Sequence, residues 1–444
     1  MMDILTAFRL RNHTKIAVVG AGGKTSTCIR LAEAFKTNVV ITTTTHVGIS
    51  QFDGVAGHHI VQSPADVDAA LTEAQKRPVL ITSTSHDGIR SSALSPDLMD
   101  HLLACHARSP FTLIVEADGA RGLALKAPGA NEPQIPPWAE EVIVCAGMSA
   151  LGQFLSADLV HRPEIFSQFS GLAVGDEITP AAMIKVLTDP QGGLKGIPSR
   201  AGKTLLLNQA DDDIRQAQAA QIAPEALSHG FDRVVVASLG ADSPSPAIYS
   251  RFEPAAGIIL AAGSSTRMGQ PKQLLEVDGK PLGRRMAEIA LDSGLSPVIV
   301  VTGAYAEEIG RALDGLPVKI AHNPAFLDGQ STSVLAGMRI LPMRTGAVLY
   351  ILTDQPYVDA SLMRAVVERW QTTGAQIVAP LVADQRANPV LFDRSTFDDF
   401  ATLTGDQGAK SLLRKYKVEY LPWHDERVLL DLDTMEDYVK FKNS

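Results

Sequence analysis

Twice in this chain a short apolar run stops at a glycine and opens into a loop of small residues that carries a lysine. Lys15-Ile-Ala-Val-Val19 leads into Gly20-Ala-Gly-Gly-Lys-Thr-Ser26, and Gly257-Ile-Ile-Leu-Ala-Ala262 leads into Gly263-Ser-Ser-Thr-Arg-Met-Gly-Gln-Pro-Lys272. A buried strand that ends this way predicts an open α/β sheet, which places its ligands at the carboxyl ends of its strands. Both loops suit a polyphosphate, because glycine lets backbone N–H groups approach phosphate oxygens and the cations add charge that amides lack. In the second loop Gly263 and Gly269 give the approach, Arg267 and Lys272 give the charge, and Leu260, Ala261, Ala262, Ser264 and Ser265 form the strand end and the wrap. In the first, Gly20, Gly22 and Gly23 free the backbone ahead of a helix that runs from Thr27 to Phe35. There Lys24 reaches the terminal phosphates, the Thr25 hydroxyl ligates Mg²⁺, and Ser26 completes the turn. The full Walker spacing needs glycine at 18, where Val18 stands, so this is a shortened form.

The remaining composition narrows the class. At 444 residues the chain has room for more than one domain. Its apolar runs, such as Val298 to Val301, are too short to span a bilayer, and its first residues lack the apolar core of an export signal. The expectation is a cytoplasmic protein with no membrane partner. Cys28, Cys105 and Cys145 are widely separated with no C-x-x-C pair, which predicts buried thiols and neither a disulfide framework nor a zinc site. A formal charge of −9 disfavours nucleic acid as a partner, so anionic substrates must be met by local cations and metal.

After the first loop, Asn38 to His46 is a strand that ends in four threonines, offering hydroxyls to a metal or a phosphate or else lying on a solvated sheet edge. Strands near Pro78 to Ile81 and Phe111 to Val115 follow, then Val142 to Cys145, Leu205 to Leu207 and Val234 to Ser238. Glu116 and Asp118 stand at a strand's carboxyl end, two apart. Like charges so placed are costly unless a cation sits between them, which favours Mg²⁺ held through water, or an attacking water oriented by the pair, over a solvated loop. Asn208 and Asp211 end another strand in an N-x-x-D arrangement that reads the edge of guanine, or of adenine, or else caps the next helix; Gln209 stands where a lysine would lie against the base. Lys126, Glu132 and His161-Arg-Pro-Glu164 are polar clusters without an evident role.

Gly240 to Pro254 is dense in proline and serine and predicts a boundary near 253. Beyond it, strands near 257 to 262, 298 to 302, 317 to 320, 347 to 353 and 375 to 380 alternate with helices. Asp354 sits at the tip of one of these strands and is a candidate for Mg²⁺, and Leu430-Asp-Leu-Asp-Thr434 reads as a short strand with Asp431 and Asp433 on one face, where either completes the clamp or Asp433 instead caps the last helix. Gly329 to Ser333 offers hydroxyls and amides at a helix start, with Ser333 suited to a ribose or a base edge. Asn388-Pro389 and Gly405-Asp-Gln-Gly408 are loops placed to close over a second substrate. The predicted fold class is α/β in two domains: a P-loop-type domain over 1–253 and a Rossmann-like three-layer α/β/α sandwich over 254–444.

Two resemblances follow from these residues. Gly20 to Ser26, Thr42 to His46, Val115 to Pro128, His161 to Glu164 and Asn208 to Asp211, in that order, resemble the YqeC-like accessory protein family of selenium-dependent molybdenum hydroxylases. That resemblance implies a domain binding GTP or ATP and tied to the maturation of an apo molybdenum hydroxylase. Leu260 to Lys272, Thr353-Asp-Gln-Pro356, Asn388-Pro-Val390, Gly405 to Ala409 and Asp431-Leu-Asp-Thr434 resemble molybdenum cofactor cytidylyltransferase within the MobA-like nucleotidyltransferases. It implies transfer of CMP from CTP to a molybdopterin-type cofactor, with Mg²⁺ on Asp354 and Asp433 and with Arg267 and Lys272 on the departing pyrophosphate. The choice of cytosine rests on Ala262, where guanylyl-transferring relatives tend to carry glycine. Ala387-Asn-Pro389 departs from the family's usual Gly at its first position.

Overall fold

A computed structural model of the chain describes 2–48, 52, 54–83, 90–240, 246–265, 268–405, 409 and 411–442. Arg267 and the segment 406–408 of the Gly405 loop lie outside the described residues. The chain divides into two compact units, Met1–Phe252 and Glu253–Ser444.

In the first unit the strands run, from one sheet edge to the other, Ala247–Phe252, Arg233–Ser238, Gly202–Asn208, Glu141–Gly147, Lys15–Gly20, Thr112–Glu116, Val39–Thr43, Val79–Thr82 and Gly57–Ile60. All neighbours pair in parallel except Ala247–Phe252, which returns antiparallel. Alternate side chains enter two separate cores: Leu113 and Val115 pack on one face, Ile114 on the other. Both faces are therefore covered, as a parallel sheet requires. Helix Lys24–Phe35 lays Cys28, Leu31, Ala32 and Phe35 on one face, the i, i+3, i+4, i+7 stripe of an amphipathic helix. Helices Pro64–Ala74 and Pro96–Arg108 cover the other. Each fully buried Val, Leu or Ile contributes roughly 1.5–3 kcal/mol.

Two expectations change here. The threonine-ended strand Val39–Thr43 is interior, between Thr112–Glu116 and Val79–Thr82, because its β-branched residues are buried on both faces; it is not a solvated edge. Part of the Pro/Ser-rich stretch forms the edge strand Ala247–Phe252, flanked by Pro246 and Pro254, which a strand end tolerates.

In the second unit the order is Val318–His322, Val298–Thr302, Ala255–Ala261, Ala347–Leu352, Val390–Asp393, Ile377–Val382 and Gln385–Arg386, with Val418–Pro422 also on Ile377–Val382. Ile259 and Ala261 face one core with helices Leu282–Asp292 and Ala360–Thr373, while Ala256 and Ile258 face the other with helix Gln330–Met338. This is the Rossmann-like three-layer α/β/α arrangement. The chain builds outward from Ala255–Ala261 to one side, then crosses to Ala347–Leu352 on the other. The reversal opens a crevice at the carboxyl ends of these two strands, where such sheets bind ligands. Leu430–Thr434 is an extended loop and not a strand: its backbone is held at Leu432, whose N–H donates to Asp354 O at 2.8 Å.

Candidate active site

The crevice in the second unit is a cleft of about 460 Å³ lined by Leu260, Ala262, Gly263, Ser265, Lys272, Gln273, Ser333, Asp354 and Asp433, among others. Its centre is the Lys272 ammonium, 2.6 Å from Asp433 Oδ1 and 3.4 Å from Asp354 Oδ2. Burial pushes the Lys272 pKa down, but Asp433 and Asp354 outweigh it and leave the group above its ordinary value. For Asp354 burial is the larger influence: it raises the carboxyl despite the opposing Lys272, and Asp431 adds to the rise.

The loop around this charge cluster is fixed by local hydrogen bonds. The Lys272 N–H donates to Ser265 Oγ at 3.0 Å, Gln273 Nε2 to Gly263 O at 3.1 Å, and Ala304 N–H to Ala262 O at 3.3 Å. Gly303 admits this last approach, since a Cβ there would lie 2.6 Å from Ala262 O and 2.9 Å from both Ala262 Cβ and Phe326 Cβ. On the acidic side, Gln355 Nε2 donates to Asp431 Oδ1 at 2.8 Å. Buried Asn323 donates to Thr332 Oγ1 at 2.8 Å and to Ser333 Oγ at 3.0 Å, orienting both hydroxyls at the start of helix Gln330–Met338.

The structure therefore gathers Leu260, Ala262, Gly263, Ser265, Lys272, Ser333, Asp354 and Asp433 into one cleft. Ala261 turns its side chain into the core, as strand alternation demands after Leu260, and neither Ser264 nor Gly269 lines the cleft. Gln273 and Phe326 line it without having been singled out from sequence, and Asn323 supports it from behind. Asn323 does carry a readable signal: it is a polar residue just past the end of an apolar strand at the ligand-bearing edge of the sheet.

In the first unit the parallel register brings Gly20, Glu116, Gly147 and Asn208 to one edge. Lys24, nearly buried, reaches Gly20 O at 3.0 Å, Asp118 Oδ1 at 3.4 Å and Glu116 Oε1 at 4.0 Å. Thr25 Oγ1 donates to Glu116 Oε2 at 2.9 Å. Lys126 Nζ donates to Asp118 Oδ2 and to Glu132 Oε2, both at 2.8 Å, and Arg162 forks onto Glu132 at 2.7 and 2.9 Å. Burial works against the Glu132 charge, but Arg162 and Lys126 prevail and bring it down to about 2, while burial raises Glu116. Each of Glu116, Asp118 and Glu132 is thus matched by Lys24, Lys126 or Arg162. In this structure the charge of the Glu116–Asp118 pair is met by Lys24 and Lys126.

The loop amides are also partly committed. Those of Gly20, Ala21 and Gly22 donate to Asp118 Oδ2, Cys145 O and Leu123 O. What remains for a phosphate is the first turn of helix Lys24–Phe35, Ser26 included, whose N-cap Gly23 provides no side-chain acceptor. Asn208 is bonded at both ends: its amide donates to Gly22 O at 2.7 Å and its carbonyl accepts from Leu239 N–H at 2.9 Å. It braces the loop. Asp211 accepts from Ser238 Oγ and pairs with Arg215 at 3.5 Å, and Gln209 accepts from Ser149 Oγ at 2.6 Å.

The family model described as YqeC protein matches residues 16–164, and the one described as MobA-like NTP transferase domain matches 257–420. The uncharacterized protein YqeC of Escherichia coli (strain K12) is 30% identical over 250 residues, covering 54% of this chain and 93% of that protein. The purine catabolism protein PucB of Bacillus subtilis (strain 168) is 30% identical over 193 residues, covering 41% of this chain and 93% of that protein. The chain belongs to the YqeC and MobA-like NTP transferase families. Nicotine blue oxidoreductase of Paenarthrobacter nicotinovorans is 29% identical to the MobA-like half, over 41% of this chain and 94% of that protein. The MobA-like unit is a nucleotidyltransferase. Among the described residues no helix is long and apolar enough to cross a membrane.

Proposed function

We propose that the MobA-like unit transfers CMP from CTP to molybdopterin, and that the YqeC unit is a P-loop accessory domain that binds GTP or ATP during maturation of a molybdenum hydroxylase. The observation that carries the transferase reading is the Lys272 ammonium spanning Asp354 and Asp433 beside the Gly263 loop. A phosphate oxygen of the acceptor attacks the α-phosphorus of the triphosphate in line, the bond to the β-phosphate breaks, and pyrophosphate leaves. No covalent enzyme intermediate is needed, only positioning and neutralisation of charge. In the absence of nucleotide, Lys272 neutralises both carboxylates. With triphosphate in the cleft, the ammonium would be drawn to phosphate oxygens, and Asp354 and Asp433 are the residues that would hold a divalent ion.

Asp354 and Asp433 suit Mg²⁺: they are hard oxygen donors from separate segments, already gathered around one positive charge, and Asp433 sits on a half-exposed loop that can adjust. When bound there, Mg²⁺ would neutralise charge on the α-phosphate and the entering oxygen. Arg267 is assigned to the departing pyrophosphate with Lys272. The choice of cytosine rests on Ala262, which lines the cleft and whose backbone is held against Gly303 and Ala304. In the first unit, Lys24, Thr25, Glu116 and Asp118 are the groups that would meet the phosphates and metal of the second nucleotide, and Asn208 and Asp211 flank its base side.

The test is pyrophosphate release by the full chain, with CTP, GTP, ATP and UTP each paired with molybdopterin, a sugar phosphate and an alditol phosphate. Fastest turnover of CTP with molybdopterin is expected. Preference for a sugar or alditol phosphate replaces the acceptor. Co-purification with a hydroxylase without turnover of any pair points to a nucleotide-gated carrier. Nicotinamide-dependent reduction without pyrophosphate release would place the unit with the relative named as an oxidoreductase.

A further inference from the structure

The YqeC unit has a second polar cluster, away from the glycine loop. Asp68, on helix Pro64–Ala74, meets His101 and Cys105, one turn apart on helix Pro96–Arg108. His101 Nε2 lies 2.9 Å from Asp68 Oδ1, Cys105 Sγ lies 3.5 Å from the same oxygen, and Sγ and Nε2 are 3.6 Å apart. Among the described residues this is the only group of three His, Cys, Asp or Glu whose ligand atoms all lie within 4.8 Å of one another.

The triangle has the dimensions of one face of a metal tetrahedron. With Zn–S of about 2.3 Å and Zn–N and Zn–O of about 2.0–2.1 Å at tetrahedral angles, the edges come to about 3.5 Å for S···N, 3.5 Å for S···O and 3.3 Å for N···O. The two edges at sulfur agree, and only the N···O edge is short, as expected where a direct hydrogen bond holds these two atoms. A catalytic Cys–His–Asp triad is a different arrangement, since there the carboxylate and the sulfur would engage opposite ring nitrogens, whereas both meet Nε2 here. Arg108 Nη2 donates to Cys105 Sγ at 3.2 Å, an outer partner of the kind metal-bound sulfur has. The helices are fixed at their starts by side-chain caps from Ser63 and Ser95, so the ligands sit on rigid elements.

We propose that Asp68, His101 and Cys105 form a zinc site that ties the two helices together, with the fourth position open to solvent. The thiolate excludes Mg²⁺ and Ca²⁺, which require oxygen donors, and the mixed S, N, O set suits Zn²⁺. Binding displaces the Cys105 proton to solvent. The other two cysteines do not compete: burial pushes the Cys145 thiol up to about 12 and the Cys28 thiol well above its usual value.

The experiment is titration of the full-length protein with Co²⁺ as the optical probe for zinc, followed by displacement with Zn²⁺. One equivalent of Co²⁺ is expected to give visible d–d bands of tetrahedral intensity and a thiolate-to-cobalt charge-transfer band, both lost on adding zinc. Cys105→Ser removes the charge-transfer band, while Asp68→Asn and His101→Gln weaken binding and leave the band when the metal is forced on. Arg108→Met keeps all three ligands and lowers affinity roughly 10–100-fold, the usual effect of losing an outer partner. Zinc raises the melting temperature of the wild-type protein and not that of the ligand variants. No charge-transfer band in the wild type, or one that survives in Cys105→Ser, overturns the site. Should Cys105→Ser not fold, His101→Gln decides: unchanged cobalt affinity refutes the proposal.

Discussion

Replacing Lys272 by methionine keeps the side-chain stem and removes only the charge, so it separates what the ammonium does for the fold from what it does for the reaction. At 3.4 Å and an effective dielectric constant of 20, the attraction between Lys272 and Asp354 is about 5 kcal/mol in gross terms. Most of that is offset by the desolvation of two partly buried charges, and the shorter contact to Asp433 is screened because that carboxylate is 53% exposed. The net loss of stability is about 1 kcal/mol, or about 2–4 °C in melting temperature for a unit of this size. The transition state is less forgiving. Charge developing on the departing pyrophosphate loses a donor, and one such donor is worth about 10²–10³ in turnover. The assay pairs continuous pyrophosphate release with a thermal melt of the same sample. A variant that melts more than about 10 °C lower while its folded fraction turns over at the wild-type rate would refute the assignment, because Lys272 would then be a structural cation.

Asp354→Asn is expected to abolish turnover without lowering stability at neutral pH. Burial raises this carboxyl in the folded state, so its contribution to stability is complete below its unfolded value of 3.8 and is lost as pH rises through the folded value. Melting curves from pH 3 to 8 should find the variant gaining on the wild type as pH rises; a constant gap removes the linkage. Gly303→Ala drives a methyl to 2.6 Å from Ala262 O, so it should cost about 1–3 kcal/mol and raise KM for the triphosphate through the displaced loop; an unchanged KM would detach Gly303 from that loop. Gly23→Ala places a methyl 2.2 Å from Asn208 Nδ2 at a φ of +118°, so nucleotide binding by the YqeC unit should fall at least tenfold in a calorimetric titration while pyrophosphate release persists. Retained binding would move that nucleotide away from the helix start.

Much of the site was legible because strand, glycine turn and cation are neighbours in sequence. Leu260, Gly263, Ser265 and Lys272 lie within one turn of strand and loop, and Asp354 ends an apolar run. Asp433 was legible as a carboxylate but not in its setting: Leu430–Thr434 alternates like a strand, yet it finds no strand partner and is held by the Asp354 carbonyl instead. The Glu116–Asp118 pair was legible as two carboxylates at a strand end, but the convergence of Lys126, Glu132 and Arg162 on it carried no signal in the sequence, because only the fold delivers those charges to the same place.

What the amino-acid order determined alone is local: where the chain turns, which runs are buried on both faces, and which loops have amides and cations suited to phosphate. These follow from side-chain period and backbone freedom over a few residues. Tertiary structure decided everything that depends on distance between segments: that Lys272 sits between two carboxylates far along the chain, that Asn208 braces a loop, and that Asp68 comes to share an imidazole nitrogen with a cysteine 37 residues away. Electrostatic attraction and metal geometry act through space, and only the packing of helices on a sheet sets those separations.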